Sequence, residues 1–404
     1  MIKGRIPHFY HLRLCISMLA MGHIVSLATG QDQTYSGDVE QVRVISSLED
    51  FSNVSKLLVP HIVAWKDTHL IAAFETGIPG KVDMGDIISS ISGDDGDTWG
   101  NRVVVFDHRQ KHGLQRYGYA NPILYKVPNQ NLVWCFAMRN PLSDPNSQNA
   151  SMVAAFSADG GESWSHVELI MHYKGDLVLA GNLIRILEND GSSRFLIPAH
   201  CNTRNDDSVG GKRLHFVLQS KNLIEWELLS YVPQPPHVFL HEGHLAPGDY
   251  QEELILVMRT SDHARRSLSS PRAWQSVSKD SGKTWGETEE SPMLYNAVSE
   301  AAFGKTAGGV YYYIYNDGPD KGRDSRKALK YKLKYPGHEW SDEKVFFDAG
   351  VKNSYPSVVE VHPGDLQVVW DSGSEQETRT KIYYGRLRVP DKLGSIEIQE
   401  KQRP

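Results

Sequence analysis

Cysteine is almost absent from this 404-residue chain, which has only Cys15, Cys135 and Cys201, so neither a disulfide framework nor a four-thiolate metal centre can hold its fold together. Stability has to come from a packed core. Runs of lysine and arginine are missing as well, and the formal net charge is −6, which excludes the basic face that a phosphate backbone requires. Nucleic acid is not an expected partner. Beyond the first thirty residues no stretch reaches the roughly 18 consecutive apolar residues of a membrane span. Sustained 3.6-residue periodicity with capping signals is also lacking, so little helix is expected.

What the chain does have is turns and strands. It holds 34 glycines and 20 prolines, and between these punctuators lie short apolar and β-branched runs such as Leu70–Phe74, Leu132–Phe136 and Leu254–Met258. That is the pattern of an all-β protein, and such proteins often exceed 200 residues as one domain. At the N-terminus, Lys3, Arg5 and Arg13 precede the apolar stretch Leu14–Leu27, followed by Ala28-Thr29-Gly30. Residues 1–30 therefore read as a signal peptide with small residues at the cleavage site, leaving 31–404 as one exported domain. Cys135 and Cys201 lie in separate strand-like runs and are expected to be buried free thiols, with a disulfide between them in an oxidising compartment as the alternative. Asn53-Val54-Ser55 and Asn149-Ala150-Ser151 are glycosylation sequons.

A repeat organises the rest. Ser92 to Trp99, Ser157 to Trp164 and Ser278 to Trp285 all fit S-x-D-x-G-x-[TS]-W. Weaker echoes occur at Ser220 to Trp226 and at Gly337 to Trp340. The starts recur about every sixty residues, enough for a four-stranded sheet with loops. In each copy Asp can accept bonds from turn amides, Gly can take a left-handed angle, and Trp can cover the hairpin base. At that period about 370 residues divide into six units, with seven as the alternative.

The triple motif resembles the Asp-boxes of the sialidase family, and the resemblance spans nearly the whole chain after residue 30. It implies a six-bladed β-propeller of antiparallel four-stranded blades, with the boxes on its periphery. Members of that family clamp a substrate carboxylate with three arginines and use a Tyr nucleophile, a Glu base and an Asp acid/base, an exception to the usual carboxylate pair of glycosidases. The resemblance places Asp83 as acid/base, Glu242 as base, Tyr355 as nucleophile, and Arg259 and Arg326 as clamp arginines. Leu58, in Leu58-Val59-Pro60-His61, stands where the first arginine belongs, and Leu cannot donate a hydrogen bond. His61, Tyr119 and Asn121 are further candidates for binding sugar hydroxyls. Structural alternatives stand beside these roles: an inter-blade ion pair for Arg259, a buried aromatic for Tyr355, a turn for Asp83.

His241-Glu242-Gly243-His244 lacks the H-E-x-x-H spacing of a zinc helix, so no metal is expected, nor a cofactor. The expected activity is hydrolysis of a terminal acidic or related sugar from a glycan or polysaccharide by a monomeric exo-glycosidase. Two alternatives are a propeller polysaccharide lyase acting on uronates, with His and Tyr from the group His108, His112, Tyr117 and Tyr119 for proton transfer and Arg259 or Arg116 to neutralise the carboxylate, and a non-catalytic glycan-binding propeller.

Overall fold

A computed structural model describes residues 35–390, apart from 144–148, 202–213, 261–271, 317–325, 374–378 and positions 189, 237, 239, 297 and 298. The proposed signal peptide, Cys15 included, lies outside the described residues. Residues Tyr35–Pro404 form one compact unit. Among the described residues it is all-β apart from one short 3-10 turn at Leu48–Asp50, and its small antiparallel sheets are arranged in a propeller-like manner. No helix among the described residues is long and apolar enough to cross a membrane.

Six separate blades were expected, but among the described residues hydrogen bonding divides the strands into five sheets. Three are plain four-stranded sheets. The departure comes from a nine-stranded sheet in which the strands of 56–106 join those of 111–167 through one residue pair, Gly85 with Tyr119. At Gly85 itself the chain runs close against the adjacent strand of its own meander, where a Cβ would lie 2.0 Å from the Thr76 carbonyl oxygen. A six-stranded sheet built around Ser193–His200 completes the set. The chain ends share one sheet: Glu40–Ser47 pairs antiparallel with Lys381–Arg388, which covers a strand edge that would otherwise be open.

Each Asp-box is a closed local network. Asp94 accepts from the Thr98 amide at 2.9 Å and the Thr98 hydroxyl at 2.6 Å, while the Ser92 hydroxyl oxygen accepts from the Gly96 amide at 2.8 Å. The same bonds recur around Asp159 and Asp280. Gly96, Gly161 and Gly282 all have φ between 84° and 96°, the left-handed region that disfavours a side chain. The echo at Ser220 substitutes Asn222, whose carbonyl oxygen accepts from the Glu225 amide at 2.8 Å.

The tryptophans reach beyond their own hairpins, although two indole N–H groups stay on their own turns, Trp99 donating to the Gly96 carbonyl at 3.1 Å and Trp226 to the Leu223 carbonyl at 3.0 Å. Trp164 Nε1 donates to Ser89 Oγ and Trp285 Nε1 to Ser230 Oγ, each at 3.0 Å and each on the preceding sheet or meander. Trp99 packs on Tyr384 with ring centroids 5.4 Å apart, and Trp226 meets Phe136 edge-on at 5.5 Å. The first box is tied to the last sheet besides, through Arg386 to Asp95 at 2.9 Å and Gln367 to Asp95 at 2.8 Å. The repeat thus joins neighbours, because each indole is wide enough to reach past its own sheet.

Trp226 is fully buried. Trp226→Ala is expected to lower stability by about 3 to 5 kcal/mol, read as a fall in Tm. An unchanged Tm would show that this junction contributes no packing energy.

Cys135 and Cys201 are both buried and unbridged. The main apolar clusters lie between sheets, as where Phe136, Ile197, Phe216 and Trp226 pack together.

Candidate active site

The inner strands share a device that aims side chains at one point. Register shifts interrupt them between Leu58 and His61, Ala120 and Ile123, Leu240 and Gly243, and Ser354 and Ser357. Three of these bulges hold an X-Pro pair, Val59-Pro60, Asn121-Pro122 and Tyr355-Pro356, and proline has no amide to leave unpaired. The residue before each proline is left-handed, with φ of 44°, 49° and 52°. For Val59 and Tyr355 this is strained backbone, the kind that clusters at functional sites. The inner strands contact one another in sequence, Lys56–Lys66 lying against Gln115–Lys126 on one side and Asn353–His362 on the other.

Glu242, Arg259 and Tyr355 meet at this point. Arg259 grips Glu242 with both arms of its guanidinium: Nη2 to Oε1 is 2.7 Å, and Nε donates to Oε2. The Tyr355 hydroxyl donates to Glu242 Oε1 at 3.3 Å. Burial pushes the Glu242 carboxyl up, but Arg259, Arg326 and the Tyr355 hydroxyl outweigh it and hold it below the usual carboxylate range. Asp83 moves the other way, raised by burial and by the Glu242 charge against the pull of Arg379 and Arg259. Tyr355 is held in its phenol form by burial and by Glu242, which prevail over the three arginines nearby. Arg326 lies 5.4 Å from the Tyr355 ring, and burial with the flanking Arg379 and Arg259 lowers it to about 10.

Two further groups at this mouth are absent from the sequence reading. Arg379 stands 5.0 Å from the Tyr355 ring, and its Nε is 3.8 Å from Asp371. Asp371 in turn accepts from the Ser354 hydroxyl and from the Val59 amide, the latter at 3.1 Å. Asp371 left a trace in the sequence as an acid closing the apolar run Val368-Val369-Trp370; Arg379 left none. Glu75, likewise closing Ala72-Ala73-Phe74, is fully buried with neither carboxyl oxygen hydrogen-bonded among the described residues. Burial, then Asp83, drives it well above the ordinary range.

Glu75 therefore binds its proton more tightly folded than unfolded, so its contribution to stability is complete below the unfolded pKa near 4.5 and declines as pH rises toward the folded value. Glu75→Gln keeps the shape without the proton. The variant is expected to be more stable than the parent at about pH 8, the difference shrinking at about pH 4, in urea unfolding at both. A constant difference would show that Glu75 does not titrate this way.

The remaining candidates divide. His61 lines the channel below the mouth, its Nδ1 accepting from the Leu124 amide at 3.3 Å; burial and nearby His244 push it down to about 3, so it is neutral. His244 is bonded to Glu300 at 2.6 Å, and beneath this layer opens a cavity of about 310 Å³ reaching Tyr125, Lys126 and Glu360. Asn121 lines the channel too, but its amide is engaged with the Leu179 carbonyl at 2.7 Å. Tyr119 is not brought to the mouth: its ring is buried on Phe106 at 5.2 Å and its hydroxyl meets His112 at 3.2 Å. Two residues before the Asn121 bulge, it points into the apolar layer between meanders. Leu58 is buried and offers nothing polar. Among the described residues Asp86, Asp107 and His108 are close enough to share a metal, but His108 bonds Asp86 at 2.6 Å and Arg109 bonds both oxygens of Asp107 at 2.9 Å.

Solved structures show the same fold at low identity. A protein of unknown function from Dyadobacter fermentans aligns with a TM-score of 0.63 and 15% identity over 88% of this chain and 99% of its own. The Hadza microbial sialidase Hz136 aligns at 0.65 and 15%, covering 85% of this chain and 68% of its own. The leech intramolecular trans-sialidase, solved with 2,7-anhydro-Neu5Ac, aligns at 0.67 and 12%, over 90% of this chain and 71% of its own. No curated protein matches the chain by sequence. The family model described as a BNR repeat-like domain matches residues 68–368, three quarters of the sequence and all three Asp-boxes, and the chain belongs to this sialidase-like BNR β-propeller family.

Proposed function

We propose that the chain is an exported exo-glycosidase that releases a terminal acidic sugar from glycans through a tyrosyl intermediate. One observation carries the reading: a phenol is hydrogen-bonded at 3.3 Å to a carboxylate that a bidentate arginine keeps ionised. Tyr355 Oη attacks the anomeric carbon while Glu242 takes its proton, and Asp83, whose raised pKa keeps a proton available, gives it to the departing glycosidic oxygen. In the second half Asp83 takes a proton from water, water oxygen bonds to the anomeric carbon, and the phenolate leaves and recovers its proton from Glu242. A neutral nucleophile suits an anomeric carbon that already bears a carboxylate, since an anionic one would be repelled.

The sixfold count is part of this proposal. One channel is lined by residues 59–61, 121–123, 180–181, 244, 300 and 355–357, six segments that we read as the inner edges of six meanders. The N-terminal segment supports export, and action as a monomer is kept as part of the proposal.

The test is a panel of terminal acidic glycosides and uronate polymers. A saturated free sugar supports the proposal. An unsaturated product absorbing in the ultraviolet, or binding without turnover, would overturn it.

A further inference from the structure

Arg259 is already committed. Both arms of its guanidinium hold Glu242, and the pair is buried, so diverting Arg259 to a ligand would strip the base of the partner that keeps it ionised. The first inner strand offers Leu58 and no guanidinium. Arg379 is in the opposite position. It carries five donors in a fixed fork, its side chain is 17% exposed, and its ion partner Asp371 stands 3.8 Å from Nε, beyond a normal hydrogen bond. Among the described residues no hydrogen bond to its side chain is formed. A mostly buried guanidinium with idle donors is waiting for an acceptor. Its backbone is also left-handed, at φ 70°, while its carbonyl is pinned by the Leu57 amide at 2.7 Å. The strained residue is therefore held in place from the first inner strand. Arg326 and Arg379 both stand by the Tyr355 ring, at 5.4 and 5.0 Å from its centre, and each lies in the other's field. Like charges held this close repel, and an anion between them relieves that repulsion.

We infer that Arg379, reaching in from the last sheet, supplies the guanidinium that position 58 lacks and forms with Arg326 a two-arginine cradle for the substrate carboxylate, while Arg259 is a positioning residue for Glu242. The inference rests on the hydrolase reading and divides its arginines by task. Bidentate donation by a planar fork explains why arginine rather than lysine stands there.

The experiment is calorimetric titration of the full chain, Arg379→Gln and Arg379→Lys with N-acetylneuraminic acid and with its methyl ester as uncharged control, alongside turnover of a sialoside. Arg379→Gln is expected to bind the acid about 10- to 100-fold more weakly and the ester unchanged. Arg379→Lys, which keeps the charge opposite Asp371 and guards against a folding artefact, is expected in between, with an unchanged Tm. If the parent turns over the sialoside and both variants bind the acid as the parent does, the cradle is wrong and the hydrolase reading stands. If the parent neither binds the acid nor turns over the sialoside, both fail.

Discussion

Tyr355→Phe is expected to lower turnover by roughly 10³-fold or more while ligand affinity changes by only a few-fold. The substitution removes one oxygen and keeps the ring beside which Arg326 and Arg379 stand. That oxygen donates to Glu242 Oε1, an acceptor that Arg259 continues to satisfy, so the fold has little to lose. The strain at φ 52° belongs to the backbone and is common to both residues. Sugar release from a fluorogenic acidic glycoside, with affinity measured by calorimetry on the same preparations, separates the outcomes. Turnover within tenfold of the parent would remove Tyr355 as nucleophile.

The pH profile carries the second large effect. Glu242 must be ionised and its pKa is depressed; Asp83 must be protonated and its pKa is raised. Their shifts move apart, so kcat/KM is expected to fall on the acid side through the lowered Glu242 value and on the alkaline side through the raised Asp83 value, above the ordinary 3.8. Asp83→Asn should cost about 10²- to 10⁴-fold with a natural leaving group and erase the alkaline limb. Asn tolerates the left-handed φ of 51° that Asp83 adopts, which keeps the loop as it is. With a nitrophenyl leaving group, which departs without a proton, the loss should be far smaller. An equal loss with both substrates would mean that residue 83 acts on geometry and not as an acid.

Leu58 and Arg379 illustrate why function here was only half legible. That an arginine was lacking at position 58 could be read directly. That another guanidinium comes to the same mouth from 321 positions further along could not, because no local pattern marks a residue whose partners, Asp371 and Tyr355, become its neighbours only when the strands Asn353–His362, Asp365–Ser372 and Lys381–Arg388 pair in the last sheet. Glu242 and Tyr355 were found through family resemblance, whereas their 3.3 Å contact is a product of two bulges in different sheets.

The sequence by itself determined the strands, the turns and the Asp-boxes. Each box is closed by bonds spanning no more than four residues, from Ser92 to Gly96 and from Asp94 to Thr98, so the chemistry of eight consecutive side chains suffices. Tertiary structure alone decided which neighbours the tryptophan rings pack on, the joining of two meanders into one sheet through Gly85, and which face each inner-strand residue presents. A bulge inserts an extra residue and reverses the in-and-out alternation beyond it. For that reason Tyr119, before the Asn121 bulge, is buried on Phe106, while Tyr355, inside its own bulge, is turned into the mouth beside Glu242.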